Sequence, residues 1–273
     1  MSIKAISATF ISITFLIFAE AHADLLIAPT RVVFERGERS TELIVVNRGD
    51  EQFAFRISIE NRRMLLDGSL EDAEIAQVNE LHASDIIRFS PRRLVLEPNE
   101  RQTIRISANT NGLESGEYRS HLRLMSAPMS AGRTLARAAD SEQDGISIEL
   151  IAVRSITIPV IVRIGNLDAD VSIESASLQE NENATEALLV ARMNREGNRS
   201  VYGDIQVYLG DSLDPVYYAR GIAIYTPNTE RDVILPIPLD IADNLRGENV
   251  RIAFVSSDPS RPGIIAEFST LLQ

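Results

Sequence analysis

Residues 53–60 read FAFRISIE, with Phe53, Phe55, Ile57 and Ile59 at alternate positions and Ala54, Arg56, Ser58 and Glu60 between them. A period of two is what a strand with one buried face requires, because successive side chains leave opposite faces of the pleat. The alternation recurs in TELIVVN (41–47), QTIRISAN (102–109) and EYRSHLRLMS (117–126), separated by the turn-forming pieces NRGDE (47–51), EPNE (97–100) and NTNGLESG (109–116). With Leu25 to Phe34, Ile87 to Phe89 and Ile146 to Ile164 the count reaches about seven strands, as in an immunoglobulin-like sandwich. After Gly165 and Asn166 the pattern restarts and gives about seven more, from VSIESASL (171–178) to GIIAEFSTLL (263–272). The sequence therefore predicts an all-β chain of two immunoglobulin-like β-sandwich domains, 24–164 and 165–273.

Two stretches break the rhythm. RRMLLDGSLEDAEIAQVNELHASD (62–85) reads as a loop insertion, with a short helical turn as an option for Ala73 to Leu81. APMSAGRTLARAADSEQDG (127–145) has small and charged residues without a period and reads as a mobile loop.

The first 23 residues, MSIKAISATFISITFLIFAEAHA, carry Lys4, an apolar run from Ile6 to Phe18, and Ala21-His22-Ala23 as a small-x-small cleavage site. This is the layout of a secretory signal peptide, and the run is shorter than the ~20 residues that span a bilayer. Asp24 is then the first residue of an exported chain with no membrane insertion of its own. The formal net charge is −12, which argues against nucleic acid or an anionic lipid surface as a general partner. There is no cysteine, so stability must come from apolar cores, and thiol chemistry is excluded.

Catalysis finds little support. Beyond the signal only His82 and His121 remain, and neither lies in a GxSxG or HExxH frame. No glycine-rich phosphate loop is present, and LGDSLDP (209–215) lacks the oxygen-ligand set of a calcium loop and reads as a turn. No enzyme activity, metal or cofactor is expected.

ISIELIAVRSITIPVIVRI (146–164) is the longest apolar stretch after the signal, with Ile146, Ile148 and Leu150 beginning one face. Strands usually run three to ten residues, so part of this one should overhang the sandwich or sit at an edge, unless residues 146–151 form a hairpin of their own or a buried end of the core. An exposed apolar edge invites pairing with another chain. PTRVVF (29–34) raises a second question, because it sets Arg31 at the mouth of an apolar strand. A guanidinium is always charged, so Arg31 faces solvent, pairs with an internal carboxylate, or receives an anion from elsewhere.

These pieces together resemble the periplasmic pilus assembly chaperones, a general example both of the two-sheet sandwich and of strand donation to a partner. The likeness is carried by TRVVF (30–34), by Asn47 closing a strand, by FSPRRLVLEPNERQTIRI (89–106), and by IPVIVRIG (158–165) where the chain crosses between domains. It covers the first domain well and the second only by length and strand count. The resemblance implies two sandwiches around a cleft and a periplasmic protein that binds pilus or fimbrial subunits by donor-strand complementation. It would deliver them to an outer-membrane usher, remaining a monomer or weak dimer. The alternative is a secreted β-sandwich adhesin or structural fimbrial protein.

In residues, the resemblance implies Ile146, Ile148 and Leu150 as the donated strand and Arg31 as the receptor for a subunit's terminal carboxylate. The lysine that accompanies this arginine in the family falls on Pro159. Arg31 would then act alone, or with another basic residue such as Arg154 or Arg105. Arg163 and Asp258 would form an interdomain bridge, and Glu117 offers a further acid because the family's glutamate position falls near Arg119.

Overall fold

The structure, a computed structural model, describes residues 25–128, 154–181 and 185–272. The signal segment, Ile146, Ile148 and Leu150, and most of the 127–145 stretch lie outside the described residues.

The first sandwich is built on the predicted alternation. One sheet has the order β1-β3-β9-β7, from β1 (Leu25–Ala28), β3 (Ser40–Asn47), β9 (Arg101–Ala108) and β7 (Ile87–Ser90). The other has the order β2-β11-β10-β4-β8, from β2 (Val32–Phe34), β11 (Arg154–Ile164), β10 (Gly116–Pro128), β4 (Phe53–Glu60) and β8 (Arg93–Leu96). Phe53, Phe55 and Ile57 of β4 are buried against Leu43 and Val45 of β3 and Ile104 and Ile106 of β9. Each such side chain contributes roughly 1.5–3 kcal/mol of transfer free energy.

Leu25 to Phe34, expected as one strand, is divided between the sheets. Leu25–Ala28 pairs antiparallel with β3, whereas Val32–Phe34 pairs parallel with β11. The switch occurs at Pro29-Thr30-Arg31, where proline's missing amide hydrogen cannot continue a ladder. Asn47 is fully buried, and its amide nitrogen lies 2.7 Å from the carbonyl of Glu51 and 3.1 Å from those of Leu96 and Glu97, which fastens the turn after β3 to the end of β8.

Residues 62–85 correct the loop-insertion reading. They open with a β-hairpin, β5 (Arg62–Met64) and β6 (Leu70–Asp72), closed by Leu65–Ser69 hydrogen bonding at 2.9 Å. Ala73 to Leu81 contains no helix. The sequence signal was Asp67-Gly68, a turn-forming pair.

The second sandwich has seven strands in sheets β12-β13-β16 and β15-β14-β17-β18. These are β12 (Ala169–Glu180), β13 (Glu186–Gly197), β14 (Val201–Leu209), β15 (Tyr217–Ile224), β16 (Glu230–Pro238), β17 (Asn249–Ser256) and β18 (Gly263–Leu271). A seven-residue helix α1 (Leu239–Leu245) turns Ala242 and Leu245 into this core. The two cores are separate. Ile164 packs on the first and Ala169 belongs to the second. At the crossing Gly165 has φ +86°, and a Cβ there would run into the side chain of Ser115.

Candidate functional site

β11 holds the key to the site because both of its faces are covered at its C-terminal end. Ile158, Val160 and Val162 point into the first core, while Ile161 is buried on the opposite face with Tyr202, Ala223 and Tyr225 of the second sandwich. This explains why PVIV is apolar without alternation. The pairing of β11 with β2 covers only Val160, Ile161 and Val162, whereas pairing with β10 runs from Arg154 to Ile164. Among the described residues, then, Ser155 to Pro159 pair with a strand on one side only. Pro159 stands where pairing with β2 stops, a position a residue without an amide hydrogen tolerates.

Arg31 lies one residue before the first β2–β11 pair and therefore level with Pro159. On the far side of β11, His121 is opposite Pro159, Arg119 opposite Ile161 and Glu117 opposite Arg163. Arg31 lines an open cleft of about 550 Å³ between the sandwiches, with Val33 and Glu38 on one wall and Tyr202, Ser257 and Pro259 on the other. Its guanidinium carbon is 3.8 Å from the centroid of the Tyr202 ring, a cation–π contact with an aromatic of the other sandwich. Its buried Nε has no hydrogen-bond partner. Among the described residues no carboxylate lies within ion-pair distance of Arg31.

The carboxylates of the same cleft are engaged elsewhere. Arg163, almost fully buried, places Nε 3.0 Å from Glu117, Nη1 2.5 Å from Glu35 and 3.1 Å from Asp258. Arg199 adds contacts of 3.2 Å to Glu35 and 2.7 Å to Asp258. Glu117 also accepts hydrogen bonds from the amide and hydroxyl of Ser200 and, at 3.2 Å, from the Thr226 hydroxyl. Glu38 accepts the amide of Glu35 at 2.9 Å. Arg163 and Asp258, named from the sequence, are thus in direct contact; Glu35, Arg199 and Tyr202 join them without having been singled out by any motif.

The protonation of this network follows from its contacts. Burial pushes the Asp258 carboxyl up, but hydrogen bonds from Ser260 and the Arg199 guanidinium outweigh it and hold the group well below the usual carboxylate range. Burial likewise works against the charge on Arg163, and Glu117 and Glu35 more than restore it. His121, 1% exposed, is lowered to about 3 by burial and by the neighbouring Arg119 and Arg62, so it is neutral and sits edge-on to Tyr225.

The two residues considered as companions to Arg31 lie elsewhere. Arg105 is on β9, in the other sheet, exposed, with Glu42 at 3.4 Å. Arg154 lines a separate apolar pocket with Leu25, Phe53 and Ile156, its guanidinium carbon 5.8 Å from the Phe53 ring. Neither lines the cleft that holds Arg31.

Among the described residues no helix is long and apolar enough to cross a membrane, and no group of three or more candidate ligands could hold a metal. No family model and no curated protein matches the chain. Solved structures do resemble it. The YadV chaperone is 12% identical, with 90% of this chain and 98% of that one covered and a TM-score of 0.47. The CupB2 chaperone of Pseudomonas aeruginosa is 13% identical, with 91% and 100% covered and a TM-score of 0.45. The periplasmic chaperone SfaE is 12% identical, with 90% and 98% covered and a TM-score of 0.44.

Proposed function

We propose that the protein is a periplasmic pilus assembly chaperone, whose cleft receives the C-terminal carboxylate of a pilus or fimbrial subunit on Arg31. The observation that carries this reading is the state of Arg31: a partly buried cation, held against Tyr202, with no ion-paired acid among the described residues, while the carboxylates lining its cleft are engaged elsewhere. A carboxylate meeting a guanidinium forms charge-assisted hydrogen bonds about twice as strong as neutral ones. The stretch Ser155 to Pro159, paired on one side only among the described residues, supports the second half of the reading, since a subunit strand adding to an open edge gains main-chain hydrogen bonds. Ile146, Ile148 and Leu150 immediately precede that edge in sequence and are proposed to fill the subunit's groove. Delivery to an outer-membrane usher and release there complete the reading, with one chaperone per subunit.

Co-expression with secreted β-proteins encoded beside it tests the proposal. The native chain should co-purify one to one with such a subunit, and Arg31→Ala should lose it while remaining folded. Undiminished recovery with Arg31→Ala would remove the carboxylate receptor from the account, and polymerisation of the purified chain itself would favour a structural fimbrial protein.

A further inference from the structure

The β5–β6 hairpin belongs to the first half of the chain, yet it also makes contacts with the second sandwich. Met64 is 5% exposed and packs with Tyr202, Ala223 and Tyr225. Its carbonyl accepts the side-chain amide of Asn228 at 2.9 Å, and the Leu66 carbonyl accepts the backbone amide of Asp232 at 2.7 Å. At the tip, Gly68 has φ +83°, and the guanidinium of Arg231 occupies the space a Cβ would take. At the base, Arg119 donates to the Arg62 carbonyl at 2.9 Å and to the Thr226 carbonyl at 3.3 Å, while its guanidinium carbon lies 4.6 Å from the Tyr225 ring. One buried side chain thus ties β10, the hairpin and the second sandwich together.

We propose that this hairpin is an interdomain strut, with Met64 and Arg119 as positioning residues, that sets the angle between the sandwiches and hence the width of the cleft. The Arg163 network fastens the domains at one place, and fixing an angle between two bodies takes a second point of attachment away from the first. The hairpin supplies it. Tyr202 links the two functions, because it belongs to the buried cluster that holds Met64 and its ring also stacks on Arg31. Displacing the hairpin would move the wall against which the guanidinium is held. What this does to a bound partner rests on the reading of the cleft given above; the strut itself does not.

The test needs no partner. The chain has no cysteine, so Thr103→Cys on β9 and Ser269→Cys on β18, both exposed, give a clean pair for spin labels, one in each sandwich. Electron–electron resonance on the whole chain should return one narrow distance. Met64→Asp, which sets a charge among Tyr202, Ala223 and Tyr225, should replace it with a broad or shifted distribution while core amides stay protected from hydrogen exchange. Met64→Leu, which keeps volume and apolarity, should restore the narrow distance. Should Met64→Asp fail to fold, Asn228→Ala, which removes only the bond to the Met64 carbonyl, is expected to broaden the distribution in the same sense. A narrow, unshifted distance in whichever of these variants folds overturns the strut. Arg31→Ala in the same labelled background keeps the distance narrow, so failure of the carboxylate reading and failure of the strut are told apart.

Discussion

Arg31 illustrates how one residue can be held ready at low cost to the fold. Stacking on Tyr202 gives the guanidinium a favourable contact of order 0.5–2 kcal/mol without consuming its charge, and the plane of donors stays available. Arg31→Ala should therefore change thermal stability little, while Arg31→Lys should fold but bind a carboxylate partner more weakly, since an ammonium lacks the fork and stacks less well. Binding titrations of the three proteins check this order. His121 makes a different prediction. Its neutral form is favoured in the fold, with a value of about 3 against an ordinary 6.5. Between those values the unfolded chain carries the extra proton, so stability falls as the pH drops through the window, by up to about 1.4 kcal/mol per pH unit. His121→Phe should flatten that decline in urea midpoints taken from pH 7 to pH 4; an unaltered slope would assign the acid sensitivity to other groups.

At the scale of elements, the work is concentrated in β11 and the hairpin. Ile161 is fully buried on the face of β11 turned toward the second sandwich, so Ile161→Ala should cost about 2–5 kcal/mol and loosen the domain contact, as read by denaturant unfolding. Where a strand has one wet face, its period was plain in the sequence: FAFRISIE and TELIVVN form β4 and β3 with the expected residues inside. PVIV was harder, because burial on both faces erases the alternation. The hairpin escaped notice for a physical reason as well. Its strands are three residues each, too short for a period to register, and Met64 is buried in a cluster with residues far away in sequence. The division of Leu25 to Phe34 was equally silent, since both parts are extended and differ only in the sheet they join.

For the molecule as a whole, the Arg163 cluster is proposed as the electrostatic joint between the sandwiches, since it brings Glu117 of the first and Asp258 of the second onto one guanidinium. Arg163 and Asp258 could be proposed from a resemblance in the sequence, but Glu35 and Arg199 could not, because neither lies in a distinctive pattern and only the fold brings them within 3.2 Å of each other. Arg163→Met would leave the buried Glu117 without its cation, and should destabilise the chain by about 3–5 kcal/mol. It should also turn one calorimetric transition into two. The sign of the pH effect is fixed by Asp258. Its carboxyl is held below the ordinary range in the fold, so its contribution is present above the unfolded value and lost as the pH falls through the folded one. The joint should weaken only in strong acid.

Recognition of a terminal carboxylate by Arg31 in the cleft is the proposal on which the rest depends. Calorimetric titration of the native chain with a peptide matching a subunit's C-terminal strand, prepared once as the free acid and once as the amide, tests it most directly. The acid should bind about tenfold or more tightly than the amide, and Arg31→Ala should abolish the difference. Equal affinity of acid and amide for the native chain would contradict it.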